Sequence, residues 1–419
     1  MLWILLVITA VTPMRCASRV IDLFSLEFNL PIKSPSWYTG RLWLMRLGYY
    51  KLNREKEKAG DWIWIVDHSI QIGAEKCLII LGVRSKNLSE NKVLTFQDVE
   101  PIDLVPIKKS NGEVVYEQLE AATKKTGIPR EIIADEGPDL KSGINKFIEN
   151  HTETCRIYDI KHKTASLLKQ ELGKDVQWQN FVSQCAQTKV QVQQTSLGFL
   201  APPNQRTKAR YMNIEELVVW AQRVLNFIDT EQKIPSGKFD QEKIKEKLQW
   251  IQVFREKICD WGNMMSVIGV VESFVRHNGL TKNTSKQLEI ELNKLTLAEQ
   301  STKIKNNLLH FVECESQKAK GNERLLGSSE IIESLFGKQK KLEQEQSKNG
   351  FTGLILSIGS FVSETNEDVI INAMNTVKTK DVLKWANETI GNTVQSLKKM
   401  FLIDPKKLEQ KQNQLALST

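Results

Sequence analysis

Residues 61–73 read Asp-Trp-Ile-Trp-Ile-Val-Asp-His-Ser-Ile-Gln-Ile-Gly, and this stretch decides the fold class. Its tryptophans and β-branched residues predict a deeply buried strand that carries Asp67 near its end. A second apolar run, residues 76–83, follows the turn at 73–75, so the two runs predict a β-hairpin. Most aspartates at strand ends are solvent-facing termini, but the apolar setting favours a functional role for Asp67.

The sequence after the hairpin alternates between strand and helix patterns. Residues 100–107 predict a third strand, and Pro101 and Pro106 indicate that it is irregular or at an edge. Helical patterns at 113–125, 139–150 and 163–172 then alternate with short apolar runs at 131–135 and 155–160. The predicted order β-β-β-α-β-α-β-α belongs to the α/β class and is the opening of a ribonuclease-H-like fold.

Two further acids stand in settings that suit metal binding. Asp135 ends the run Ile132-Ile133-Ala134, and Gly137 and Pro138 let the backbone turn away after it. Glu136, Asp139 and the strand-end Asp159 remain alternatives to Asp135. Glu333 lies on the predicted helix 329–336, where Glu330 shares its face and is the alternative third ligand. Two strand-end carboxylates and one on a helix would suit a pair of divalent cations, although exposed helix acids explain Glu333 equally well when it is taken alone.

The composition limits the class of protein. The 419 residues carry a net charge of +8 and 41% hydrophobic residues, which is ordinary for a globular protein that meets a polyanion. The five histidines form no ligand pair and no glycine loop cradles a phosphate, so zinc and ATP-driven chemistry are disfavoured. The six cysteines lack disulfide or zinc spacing, which predicts reduced core thiols in a cytoplasm.

The N-terminal segment, residues 1–58, is basic. It holds nine basic residues against four acidic ones, a net charge of +5. Helical patterns at 17–28 and after Ser36, with Arg41 and Arg46 on the second, fit a helix-turn-helix that reads DNA, and a helical hairpin packed on the next domain is the alternative. The apolar run 2–11 lacks the basic start of a signal peptide, so a buried first helix is favoured over secretion.

The remaining chain is mostly helical. We predict that residues 59–173 form the first part of the catalytic core and that 174–322 form a helical insertion, with helices at 214–228, 240–258 and 284–311. Residues 323–346 would return Glu333 to the core, with a charged and exposed end at 339–348. Residues 347–419 would add further helices and a frayed polar tail.

Residues 61–73, 132–140 (Ile-Ile-Ala-Asp-Glu-Gly-Pro-Asp-Leu) and 329–338 (Ser-Glu-Ile-Ile-Glu-Ser-Leu-Phe-Gly-Lys) resemble the DDE transposases of bacterial insertion sequences. The resemblance implies a ribonuclease-H-like core in which Asp67, Asp135 and Glu333 hold two Mg²⁺ ions, with Mn²⁺ as a substitute. It also implies cleavage of double-stranded DNA at transposon ends, strand transfer into target DNA, and a homodimer working at the bacterial nucleoid without a membrane.

Two positions test how far the resemblance extends. Ser329 stands where one branch of the family has a tyrosine four residues before the glutamate, whereas Lys340 matches that branch's lysine seven residues after it. Lys338 and Lys340 follow Glu333 within two helical turns and would hold DNA phosphates as point charges. Another ribonuclease-H-like nuclease, such as a junction resolvase or a hybrid nuclease, and a secreted binding protein remain alternative functions.

Overall fold

The chain folds into two compact units. A computed structural model describes residues 1–72, 75–88, 93–107, 109–205, 210–212, 214–231, 241–344, 352–391 and 401. The first unit comprises Met1–Ser89, Val93–Arg156 and Ser329–Thr419, and the second comprises Glu90–Lys92 and Ile157–Ser328. The predicted turn residues 73 and 74, the break at 235–237 and the polar tail from 405 lie outside the described residues.

The central sheet has five strands. They are β1 (Trp62–Ile72), β2 (Glu75–Arg84), β3 (Glu100–Ile107), β4 (Glu131–Ala134) and β5 (Cys155–Tyr158). The order across the sheet is β3-β2-β1-β4-β5; β2 is antiparallel to β1 and β3, and β4 is parallel to β1. The hairpin and the predicted succession of strands and helices are confirmed, and the mixed α/β sheet is consistent with a ribonuclease-H-like core.

Sixteen α-helices lie in the part of the chain that the structure describes. The first unit begins with α1 (Leu2–Ile8), α2 (Met14–Glu27), α3 (Trp37–Asn53), α4 (Gly112–Thr126) and α5 (Pro138–Asn150). The second unit carries α6 (Ile160–Leu172), α7 (Val176–Val192), α8 (Ile214–Glu231), α9 (Gln241–Leu248), α10 (Arg255–Asn278), α11 (Thr284–Leu292) and α12 (Glu299–Ser316). The chain returns to the first unit with α13 (Glu330–Gln344), α14 (Ile358–Phe361), α15 (Glu367–Thr376) and α16 (Thr379–Trp385).

Strand β1 is buried on both faces. One face contributes Trp62, Trp64 and Val66 to a core cluster that also contains residues of α4 and α5. The opposite face carries Ile63 and Ile65, which are also fully buried. Helix α13 packs against β1, and none of its described residues belongs to that cluster, so α13 covers the second face. This layering explains why the strand reads as a continuous apolar run rather than an alternating one.

The second unit is helical, as predicted, but two predicted helices were too long. The pattern at 240–258 is split between α9 and α10 by a 3₁₀ turn, Gln249–Phe254, and the pattern at 284–311 is split between α11 and α12. An aromatic cluster of Trp178, Phe181 and Trp261 explains the first break, because Trp250 and Phe254 on the turn both pack against Phe181. Packing of large rings therefore overrides the local helical pattern there.

The prediction of an exposed end of α13 is wrong for Gln339, Leu342 and Glu343, whereas Lys340, Lys341 and Gln344 are exposed. Gln339 is fully buried, and its side chain donates to the Leu354 carbonyl at 3.2 Å and accepts from Ser357 Oγ at 2.8 Å. Glu343, bonded to Gln339, is buried too, and burial raises the pKa of its carboxyl. The charged composition of this helix gave no sign that the chain after residue 352 would cover it.

The N-terminal helices also pack inward. Trp3, Ile4 and Val7 on α1 are buried, which confirms the buried first helix. No helix in the described ranges is both long and apolar enough to cross a bilayer. None of the six cysteines, all of which lie in the described ranges, forms a disulfide. Cys77 and Cys185 are buried, but Cys16, Cys259 and Cys314 are exposed, so the prediction of core thiols is wrong for those three.

Candidate active site

Asp67 lies on β1, and Asp135 directly follows the neighbouring parallel strand β4. Asp67 is the sixth of the eleven residues of β1, so the prediction that it lies near the strand end is wrong. The register pairs Ile63 with Glu131 and Ile65 with Ile133, which are the first and last pairs of the described ladder. If the register continued for two more residues, it would bring Asp67 level with Asp135 on one face of the sheet, and neighbouring strands are about 4.8 Å apart.

By alternation along the strands, the two aspartates belong to the face of the sheet that carries Ile63 and Ile65, which α13 covers. Asp67 and Asp135 alternate with Val66 and Ala134, which belong to the opposite face with α4 and α5. Glu333 is half-buried in the first turn of α13, in the same compact unit. Among the described residues, no three His, Cys, Asp or Glu side chains come together closely enough to hold a metal ion. The complete triad stays a prediction.

Each of the two aspartates accepts a hydrogen bond from a main-chain N–H close to it in sequence. Asp67 Oδ1 accepts from the main-chain N–H of His68 at 2.6 Å. Asp135 Oδ1 accepts from the N–H of Gly137 at 2.9 Å, which closes a tight turn into α5. Because Gly137 has no side chain, its backbone approaches the carboxylate closely: an added Cβ would lie 3.0 Å from that oxygen. The turn that the glycine permits therefore orients Asp135.

Two of the acids that compete with Asp135 are held by other groups. Glu136 pairs with Arg156 at 2.5 Å and with Lys141, and these cations lower the pKa of its carboxyl against the effect of burial. Asp139 lies 3.7 Å from His68 Nδ1 and 3.6 Å from Lys76 Nζ. A carboxylate whose charge is already balanced by a cation is a poorer metal ligand, so these contacts favour Asp135.

Asp159 has a structural role in the second unit. It is the N-cap of α6, where its side chain accepts from the His162 N–H at 2.8 Å, and it is only 1% exposed. Capping of this kind satisfies an orphan donor of the first helical turn. The strand-end pattern that suggested Asp159 is thus also the pattern of a strand leading directly into a capped helix.

A polar network beside Asp67 was not anticipated. His68 Nε2 lies 3.1 Å from Ser110 Oγ, while its Nδ1 faces Asp139 at the start of α5. Burial lowers the pKa of His68, against the opposing charges of Asp139 and Asp135. The network ties β1 to the first turn of α5. Its only sequence signals are the position of His68 directly after Asp67 and the acid in the first turn of a helix.

The two arginines predicted to read DNA lie on a helix that is packed into the first unit. Helix α3 begins after Ser36, whose side chain caps it by accepting from the Thr39 N–H, but Gly40, Leu44, Leu47 and Gly48 are buried. Arg46 Nε donates to the Val377 carbonyl at 2.6 Å, and its Nη2 donates to the Met374 carbonyl, so it holds the end of α15. Arg41 is half-buried, and burial lowers its pKa. These contacts are the ones expected for a helical hairpin that packs on the next domain. They do not confirm a helix that reads DNA.

Other cations of the same segment are buried outright. Lys51 has no exposed surface, and its ammonium donates to the Val362 carbonyl at 2.7 Å, the Ser363 carbonyl at 3.0 Å and Thr365 Oγ1 at 2.6 Å. Burial, with the nearby charge of Arg54, lowers the pKa of Lys51 to about 7. Much of the basic charge of residues 1–58 therefore faces protein rather than solvent.

The two lysines after Glu333 differ in their surroundings. Lys338 Nζ lies 4.0 Å from the ring centroid of Phe96 and 5.8 Å from that of Phe361, and burial lowers its pKa. Such a cation–π contact partly replaces hydration. Lys340 is exposed, so its charge reaches solvent. Both remain predicted DNA contacts, and Lys340 is the more accessible of the two.

A comparison with solved structures gives a distant likeness. No protein-family model and no curated protein sequence matches the chain. A solved structure described as the Drosophila P element transposase strand transfer complex is similar over 87% of this chain and 88% of that one, with 12% sequence identity and a TM-score of 0.33. Such low identity and TM-score assign neither an activity nor the role of any residue.

Proposed function

We propose that this chain is a DNA transposase that cleaves DNA at transposon ends and joins the freed ends to target DNA. The observation that supports it best is the parallel register of β1 and β4, which, continued for two residues beyond its last pair, would bring Asp67 level with Asp135. The covering of that face by α13, which carries Glu333, is the second support. A basic chain suits a nucleic-acid substrate, and work on chromosomal DNA would place the protein at the bacterial nucleoid.

The donor set fits divalent magnesium. Carboxylate oxygens are the ligands that Mg²⁺ prefers, and Mn²⁺ accepts the same set. Two carboxylates held side by side repel each other, and a shared cation relieves that repulsion. Asp67, Asp135 and Glu333 would hold the ions, with Glu333 completing the set in the loaded enzyme. When bound, such an ion pair stabilises the attacking and the leaving oxygen of a phosphodiester in an in-line displacement.

The protein's own groups prepare this site in two ways. The Gly137 N–H and the turn into α5 fix Asp135, while the contact between His68 and Asp139 fixes the start of α5 against β1. Buried apolar residues on both faces of β1 and β4 keep the strand ends rigid. In the proposed reaction, hydrolysis at a transposon end frees a 3′-hydroxyl, and that hydroxyl then attacks a target phosphodiester.

Strand transfer is the test that separates a transposase from a plain nuclease. Purified protein would be incubated with Mg²⁺ or Mn²⁺ and a labelled duplex taken from the DNA that flanks its gene. The parent should yield joined products and Glu333→Gln should yield none, while Glu330→Gln, a neighbour in the same helical turn, serves as the matched control. Cutting without joining would identify another ribonuclease-H-like nuclease. If Glu333→Gln joins DNA and Glu330→Gln does not, Glu330 rather than Glu333 is the third metal ligand.

A further inference from the structure

The tip of the N-terminal helical hairpin exposes a concentration of large apolar side chains. We call residues 22–38 the arm: the second half of α2, the loop after it and the first two residues of α3. The buried residues of α2 are Met14, Ala17 and Ile21, all before the arm. Within the arm, Leu26 is 79% exposed, Leu23 65% and Phe28 60%. Large apolar side chains that are exposed in such number usually mark a contact surface.

The arm is ordered by its own contacts. Ser25 Oγ donates to the carbonyls of Leu30 and Ile32, each at 2.8 Å, and the Leu30 N–H returns to the Ser25 carbonyl at 2.9 Å. Phe24 and Phe28 stack with ring centroids 5.6 Å apart. At the base, Ser18 Oγ donates to the Pro35 carbonyl at 2.8 Å. An apolar surface that is already folded loses little conformational entropy when a partner covers it.

The exposed apolar area is that of a protein–protein interface. Eight large apolar or aromatic side chains of the arm are at least 37% exposed. Together they present on the order of 900 Å², given about 200 Å² or more for a fully exposed side chain of this size. The largest apolar patch on a typical monomer is roughly 300–600 Å², and each partner of a standard interface contributes about 800 Å².

The charge of the arm identifies the kind of partner. Asp22 and Glu27 outnumber Lys33, so the arm has a net charge of −1 within a segment that is otherwise basic. DNA and anionic lipid both require cations at the contact, and the arm offers too few. Contact with a second copy of the arm requires no excess of cations. A two-fold contact packs the same apolar patch of each copy against that of the other, and Lys33 of one copy can approach Asp22 and Glu27 of the other.

We infer that the arm is the contact through which two copies of this chain associate in the absence of DNA. The inference rests on the exposure, order and charge of the arm and does not depend on the proposed DNA chemistry. It differs from a dimer assembled by two DNA ends, because the arm would hold the copies together before any DNA binds.

The test is the mass of the full chain in solution without DNA. At about 10 µM, sedimentation or light scattering should give the parent twice the 47.9 kDa of one chain. Leu26→Lys should weaken association at least about tenfold, since it places a charge at the centre of the contact. Val190→Lys, an equally exposed valine on α7, is the matched control and should leave the dimer intact. Circular dichroism should be the same for all three, because each replaced side chain is exposed.

Two results would overturn the inference. One is a dimeric parent whose Leu26→Lys variant associates as tightly as the parent does. The other is a parent that stays monomeric. If the monomer then floats with phosphatidylcholine vesicles, the arm binds a membrane instead; if it does not float, the arm binds neither partner.

Discussion

The acids of the sheet and the cations of the N-terminal segment are both charges set among apolar residues, yet the structure treats them differently. Asp67 in β1 and Asp135 directly after β4 are half-buried. Lys51 is fully buried, and Arg46 donates to the end of a helix. Carboxylates that share one face of a sheet suit an ion, whereas cations that donate to several carbonyl oxygens stabilise the scaffold.

This difference shows that the number of basic residues in a segment does not by itself predict a surface that binds polyanions. Nine basic residues in 1–58 predict a surface for polyanions only if their side chains reach solvent. Arg19, Lys33 and Lys58 are exposed, but Lys51 and Lys56 are buried, and burial lowers the pKa of Lys56 to about 8. If the comparison is right, changing Asp67 or Asp135 should affect chemistry, and changing a buried cation should affect stability.

The largest effect should come from Asp67→Asn. The amide keeps the size of the side chain but loses the charge, so cleavage with Mg²⁺ should fall by about 10³-fold or more, equivalent to roughly 4 kcal/mol. DNA binding and the unfolding midpoint should stay close to those of the parent. Glu136→Gln, an acid next to the site but paired with Arg156 and Lys141, is the control and should lose little. Parental cleavage by Asp67→Asn would remove this aspartate from the site.

The next effect should be on stability, through Lys51→Met. Methionine has a similar length but cannot donate, so the carbonyls of Val362 and Ser363 would be left buried without this partner. An unsatisfied buried acceptor costs about 1–3 kcal/mol, and we expect a loss of roughly 3 kcal/mol in the free energy of unfolding. Denaturant unfolding measures it, with the exposed Arg19→Met as control. An unchanged midpoint for Lys51→Met would mean that this lysine is not a structural cation.

The pH dependence of the same variant sharpens that result. Unfolded lysine titrates near pH 10.4, whereas burial brings the pKa of Lys51 to about 7. Between these values the unfolded chain holds a proton that the folded chain has released, so the free energy of unfolding rises with pH. The advantage of the parent over Lys51→Met should therefore grow above pH 7, by up to about 1.4 kcal/mol per pH unit. A constant difference from pH 7 to 9 would contradict the shifted pKa.

The sheet was predictable because its signals are local. The apolar runs at 62–66 and 132–134 are strands in which nearly every side chain is buried, and turn residues separate them from their neighbours. The side of the sheet on which each acid lies follows from alternation along the strand. The strands that carry or precede Asp67 and Asp135 could accordingly be predicted, whereas the role of the two acids stays a prediction.

The inward-facing cations were not predictable, because their partners are remote. The carbonyl that Lys51 binds is 311 residues away along the chain, and no local pattern marks it. Gly48 also has a partner that is remote in sequence. A Cβ at this position would overlap the Leu356 carbonyl, so the glycine permits close packing against that distant segment. A helix–turn–helix pattern and a packed helical hairpin share the same local sequence, and only the distant residues decide between them.

Asp159 offers a smaller test of the same distinction. As the N-cap of α6, it should be replaceable by asparagine without loss of stability, whereas Asp159→Ala should cost about 1 kcal/mol. Both variants should retain parental cleavage, because in this interpretation the carboxylate caps a helix and holds no ion. Thermal unfolding and the cleavage assay, run on the same preparations, check both statements. Loss of cleavage in a stably folded Asp159→Asn would bring this residue back as a metal ligand in place of Asp135.

The smallest effect should separate Lys340 from Lys338. The Lys340 charge reaches solvent on α13, while the Lys338 ammonium lies over Phe96. If Lys340 binds a phosphate, Lys340→Ala should reduce the slope of log affinity against log salt by about 1 for every DNA sequence tested. Lys338→Ala should instead lower the unfolding midpoint, through the lost cation–π contact, and change the slope less. The reverse pattern would mean that the aromatic rings hold Lys338 ready for DNA, and that a half-buried cation on this face can serve binding as well as folding.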